Sequence, residues 1–236
     1  LRPVMKRRLP PLFFFLLGLA LLFPGPAASA NMTAACHCFR DRAYNPADPF
    51  SSDAYLLTTV FNSLLAAHFD IAKRQIVLMK MQGGTSNSDL LIALHIAVQT
   101  GSDVDRLLTL KQSRTWQEAV GELPVPPGGA DDLLGQIRSG MPDEQAAGRV
   151  MEKMIRERFA RQPREIETLQ QDGLELREIV LLLTLADHSG TEPAAILALH
   201  RQEGLSWSAI AHNFGLEPAD AGKLLAPSSP DQPVVP

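Results

Sequence analysis

The sequence predicts an all-α fold: two tandem copies of a roughly four-helix module, after a cleaved signal peptide and a short cysteine-containing segment. Three observations predict it. Apolar residues recur at steps of three and four over most of the chain, the period of an amphipathic helix. No run of alternating β-branched residues offers a strand. Finally, glycines, leucines and the two tryptophans return at a nearly constant spacing, which marks an internal duplication.

The first 30 residues read as a signal peptide. Met5 is the expected start, with residues 1–4 as upstream read-through, and Lys6-Arg7-Arg8 forms a positive leader. Leu12 to Phe23 is an apolar run of 12 residues, short of the roughly 20 that span a bilayer. Pro24-Gly25-Pro26 breaks the helix, and Ala28-Ser29-Ala30 supplies the small-x-small pattern of a cleavage site. Cleavage leaves no stable membrane anchor and places the protein in the periplasm or outside the cell. It also removes Arg2, Lys6, Arg7 and Arg8, so the net charge falls from −4 to −8. An acidic exported chain has no electrostatic reason to seek nucleic acid. The partner such a chain suggests is another envelope protein.

Residues 31–51 are polar, Pro-broken and contain Cys36-His37-Cys38, the one cluster of chemically capable side chains. Two cysteines are too few for a disulfide scaffold. Cys36 and Cys38 can close a disulfide on each other, although an i,i+2 bridge is strained and easily reduced. Alternatively the two thiolates hold a soft metal, Cu or Zn, because an extended chain points residues i and i+2 to one side. His37 then points away, and further ligands come from His68 or His95. A plain staple fixing the N-terminus is the third reading.

Residues 52–123 form the first helical module, 124–141 a linker around Pro124-Val125-Pro126-Pro127-Gly128-Gly129, and 142–225 the second module. The tail, 226–236, repeats proline without periodicity and is expected to be disordered. The module begins with an amphipathic helix carrying Phe61, Leu64, Leu65, Phe69, Ala72 and Ile76. Its second helix, Leu90 to Val98, is apolar nearly all round and therefore central. Gly173 lies 89 residues after Gly84, and Gly190 lies 89 after Gly101; Ile179 to Ala186 is the matching central helix. Gly101 and Gly190 fit left-handed C-caps. Ser102 or Asp103, and Thr191 ahead of Pro193, then restart a third helix. Thr115-Trp116-Gln117-Glu118 has capping-box spacing and opens a fourth, with Ser206 before Trp207 in the second copy. Trp116 and Trp207 are expected to be equally buried.

One short stretch carries a resemblance. Gly204-Leu205-Ser206, Ile210-Ala211 and Gly215-Leu216 resemble the helix-turn-helix frame of resolvases and sigma factors. The resemblance implies a recognition helix at 218–225. That segment would turn Asp220 and Gly222 outward and offers Lys223 as its only cation, after Glu217, so it lacks the residues that read bases and phosphates. DNA binding is thus the weakest functional alternative. More widely, Cys36 to Arg42 and the paired "apolar helix, Gly, Leu-x-Leu, Trp" units resemble an uncharacterised kind of exported bacterial all-helical protein, which implies fold and location but no activity. No Gly-rich phosphate loop, Ser/His/Asp set or loop-borne carboxylate pair identifies a catalyst. The reading is an exported binding or structural protein of the bacterial cell envelope. Its alternatives are a metal or thiol-redox protein working through Cys36-His37-Cys38, and an enzyme with a dispersed site.

Overall fold

The computed structural model describes residues 39–123 and 132–226, and every regular element among them is helical. The expectations for residues 1–38, Cys36, His37 and Cys38 included, for 124–131 and for the tail after Ala226 fall outside the described residues. In chain order the helices are α1 (Asp53–His68), α2 (Lys73–Gly83), α3 (Asn87–Thr100), α4 (Val104–Lys111), α5 (Trp116–Gly121), α6 (Leu133–Arg138), α7 (Asp143–Phe159), α8 (Pro163–Gln171), α9 (Leu176–Ser189), α10 (Pro193–Arg201) and α11 (Trp207–Asn213). A 3₁₀ turn at Ala221–Leu225 follows. None of these helices is long and apolar enough to cross a membrane.

The ends of the helices follow local chemistry. Gly101 (φ 70°) and Gly190 (φ 67°) close α3 and α9 in the left-handed conformation that a side chain resists. Asp103, Thr115 and Ser206 each accept a backbone N–H in the first turn of α4, α5 and α11, and Thr115 forms a complete capping box with Glu118. Glu192, rather than Thr191, occupies the N-cap of α10, because Pro193 stands at the first helical position.

Between His68 and Lys73 the structure departs from the sequence reading. The amphipathic run from Phe61 to Ile76 is two helices. Asp70 adopts φ 51°, and the Ile71 amide donates to the Ala66 carbonyl 3.0 Å away, closing α1 with the wider loop of a Schellman-type end. Residues 52–123 therefore hold five helices, and residues 142–225 five helices and the 3₁₀ turn, where the periodicity suggested four in each. The short α6 occupies part of the stretch read as a linker.

Packing interleaves the halves. Central helix α3, with Leu90 to Ile96 buried, lies against α7, and central helix α9, with Ile179 to Ala186 buried, lies against α1. Helices α3 and α9 are both 14 residues long, and each begins and ends 89 residues from the other. Trp116 and Trp207 are almost wholly buried. Each donates its indole N–H to the third residue of its own half's central helix, Trp116 to Asp89 (2.9 Å) and Trp207 to Glu178 (3.2 Å). A basic side chain covers each ring: the Lys111 ammonium 5.7 Å from the Trp116 centroid, and His200 stacked on Trp207 at 4.2 Å.

Where the resemblance placed a recognition helix, the chain forms the 3₁₀ turn. Ala221, Gly222 and Leu225 are buried against α1, and Lys223 pairs with Asp220 at 2.6 Å. Gly222 thus faces inward, not outward. A Cβ there would lie 2.3 Å from Ser63 Oγ and 3.1 Å from Thr59 Cγ2, so only glycine lets this backbone close on α1.

Candidate functional site

The residues that follow Cys38 are tied down. Phe39 is buried edge-on against Tyr55, with ring centroids 5.6 Å apart, and Arg42 lies over the same tyrosine while its Nε donates to the Phe39 carbonyl. Tyr44 stacks on His212 of α11 at 4.5 Å. Ser206 Oγ donates to the Pro49 carbonyl at 2.6 Å, and the Asp53 carboxylate accepts the amides of Trp207 and Ser208 at 3.1 and 2.8 Å. The segment from Phe39 to Asp53 therefore binds the start of α1 to α11, and Cys38 is covalently next to its buried end.

Of the two histidines named as further ligands, His68 lies far from this buried end. Tyr55 and His68 sit near opposite ends of α1, roughly 20 Å apart along its axis at 1.5 Å per residue. His68 Nδ1 stands 3.5 Å from Glu157, and burial holds the imidazole below its usual value despite that carboxylate, with Lys153 pushing the same way as burial. His95 is buried within α3. His188 Nε2 lies 3.3 Å from the Phe214 carbonyl. Among the described residues no three His, Cys, Asp or Glu side chains converge as a metal site.

Two features were invisible in the sequence. The first is a polar seam inside the fold. Helix α2 buries Lys80, only 3 % exposed, beside the core residue Ile76, while Leu78 and Met81 face solvent at 38 % and 52 %. Lys80 Nζ donates to Asn62 Oδ1 at 3.1 Å and lies 5.4 Å from the Phe61 ring centroid. Asn62 is itself 1 % exposed, and its Nδ2 has no acceptor; neither does Thr59 Oγ1, one turn away, make a bond. No carboxylate among the described residues pairs with Lys80. Burial, and then the nearby Arg177 charge, lower its pKa from 10.5 to about 8. Lys73, seven residues earlier on the same stripe of α2, is also lowered by burial, and its Nζ lies beside Gly222. A lysine flanked by Met79 and Met81 gave no warning, because periodicity alone assigns the apolar neighbours to the core.

The second feature is a cationic groove of about 410 Å³ where α7 turns into α8. Lys153, Arg156 and Arg161 line it, with Glu157 as its one acid. None of the three cations has an ion-pair partner among the described residues, and Arg161 Nε is buried without an acceptor. Another opening, of about 330 Å³, lies between α7, α9 and the 3₁₀ turn. Two of its polar groups are engaged: Arg158 donates to the Leu224 carbonyl at 3.0 Å, and Thr184 Oγ1 to the Val180 carbonyl at 2.7 Å.

Compared with known proteins, the chain matches no family model, no curated protein and no solved structure.

Proposed function

We propose that this chain is an exported, internally duplicated helical protein of the bacterial cell envelope that binds an acidic surface of another envelope protein. The observation that carries the binding role is the groove lined by Lys153, Arg156 and Arg161: three unpaired cations around an opening, on a chain whose net charge is negative. Guanidinium groups lining one groove suit planar carboxylates, and the buried Arg161 Nε calls for an acceptor that the described residues do not supply. Export rests on the leader of residues 5–30. The duplication rests on the matched bounds of α3 and α9, the matched indole bonds of Trp116 and Trp207, and the basic residues over both rings.

The test is site-specific crosslinking in the cell. A photoreactive side chain in place of Arg156 should give a discrete adduct with one envelope protein. Charge reversal by Lys153→Glu with Arg161→Glu should abolish it. An envelope-located protein that yields no adduct would sink the binding role, and recovery in the cytosol would sink the location.

A second reading, metal or thiol chemistry at Cys36-His37-Cys38 with Cu or Zn, draws on the burial of Phe39, the residue that follows Cys38 in the sequence. Metal analysis and thiol titration of protein from its native compartment test it. An unreactive pair with no metal removes it.

A further inference from the structure

We infer that Lys80 is a site of reversible carbamylation by CO2, with Asn62 as the group that selects it. The geometry carries this. Lys80 Nζ gives one hydrogen to Asn62 Oδ1 (3.1 Å), and on the same amide Nδ2 stands buried without an acceptor. A carbamate on Nζ presents an N–H and a carboxylate oxygen side by side. That is the complement of a primary amide: the N–H keeps its bond to Oδ1, and the adjacent oxygen accepts from Nδ2. The Arg177 charge, which disfavours a cation at Lys80, favours an anion there, although its guanidinium also pairs with Glu175 at 2.8 Å. One added group thus supplies an acceptor to the orphaned amide and replaces a buried, unpaired cation with an anion beside a cation.

The chemistry balances without an oxidant. The lone pair of the neutral amine attacks the carbon of CO2, and a C–N bond forms. One C=O π pair moves onto oxygen, and a proton leaves nitrogen for water, so R–NH2 and CO2 give R–NH–COO⁻ and H⁺. With the amine lowered to about 8, about a tenth of it is neutral at pH 7. Lys80 as a whole is 3 % exposed, so only a small reagent suits the site. Uncharged CO2 enters without shedding a hydration shell, whereas a preformed anion would have to lose its water.

Lys73 is the internal control. It too is lowered by burial, but Gly222 and Ser63 stand beside it, and the Ser63 hydroxyl is committed to the Thr59 carbonyl. Among the described residues no side-chain amide is hydrogen-bonded to it. The experiment exposes the full chain to ¹³C-labelled bicarbonate and CO2 at pH 8, traps carbamates with an alkylating oxonium salt, and maps them by peptide mass spectrometry. The expected result is an adduct at Lys80 at least tenfold above that at Lys73, and a carbamate carbon resonance that disappears in Lys80→Met. Asn62→Leu should cut the signal about tenfold. Should that variant fail to fold, Asn62→Asp keeps the shape, removes the Nδ2 donor and should have the same effect. No adduct at Lys80, equal adducts on both lysines, or an adduct indifferent to Asn62 would each overturn the assignment. None of these outcomes bears on the cationic groove.

Discussion

At the scale of single residues, the consequences concentrate where α1 meets α2 and the 3₁₀ turn. Lys80 titrates near 8 in the folded chain and near 10.5 once unfolded. Between those values the unfolded state holds the extra proton, so folding stability should rise with pH across that window. The total gain for such a shift is on the order of 3 kcal/mol. Urea unfolding at pH 7 and pH 10 in CO2-free buffer should show the rise, and Lys80→Met should flatten most of it; Lys73, shifted the same way, leaves a smaller residual slope. A slope unchanged in Lys80→Met would mean that the buried ammonium is not its source. Gly222→Ala should cost about 1–3 kcal/mol, because the new methyl would stand 2.3 Å from Ser63 Oγ. Adding Ser63→Ala should return part of that loss, the coupling expected of two groups in contact. Neither position was legible beforehand. The glycine's role depends on a helix some 160 residues away in sequence, and the lysine's on a stripe of Thr58, Thr59, Asn62 and Ser63 that α1 buries against the rule for polar side chains.

Helix by helix, what the sequence disclosed was whatever is decided within a few residues. The caps at Thr115 and Ser206 and the left-handed glycines after α3 and α9 are such local contacts, and all were readable. The break after α1 was not, since Asp70 reaches positive φ without the glycine that usually announces it. Another device lay wholly out of reach: α11 is capped from the far end of the chain. Both carboxylate oxygens of Asp53 accept its first amides, and Ser206 is simultaneously bonded to Pro49. Asp53→Ala should therefore weaken α11 as well as α1, costing about 1–2 kcal/mol by analogy with the loss of a conventional cap. The check is chemical denaturation together with the near-ultraviolet signal of Trp207, which should broaden in the variant. A stability change within error would show that Asp53 is not acting as a cap. Of the candidate site, the sequence offered the cysteine cluster; the cationic groove depends on how α7 turns at Ala160, which holds φ 50° although it is not glycine.

For the whole molecule, interleaving decides how it comes apart. With α3 lying on α7 and α9 on α1, neither half keeps its central helix covered once the other is lost. In each of two single-tryptophan variants, Trp116→Phe and Trp207→Phe, the remaining indole and the far-ultraviolet helical signal should report one shared urea midpoint, although the indoles sit in different halves. Within either variant, an indole signal whose midpoint differs from that of the far-ultraviolet helical signal would show the halves melting independently. The same arrangement bears on the order of assembly. Helix α1 is made early, yet it is finished only by α9, α11 and the 3₁₀ turn, and the bond from Ser206 to Pro49 spans 157 residues. Contacts so distant along the chain must wait for loop closure, which makes for slow folding. On a ribosome or emerging from a translocation channel, the first hundred residues would have no partner for the apolar surface of α3. They would stay sticky and protease-sensitive until the last twenty described residues arrive, and a nascent chain stopped before Trp207 should require a holding chaperone to remain soluble.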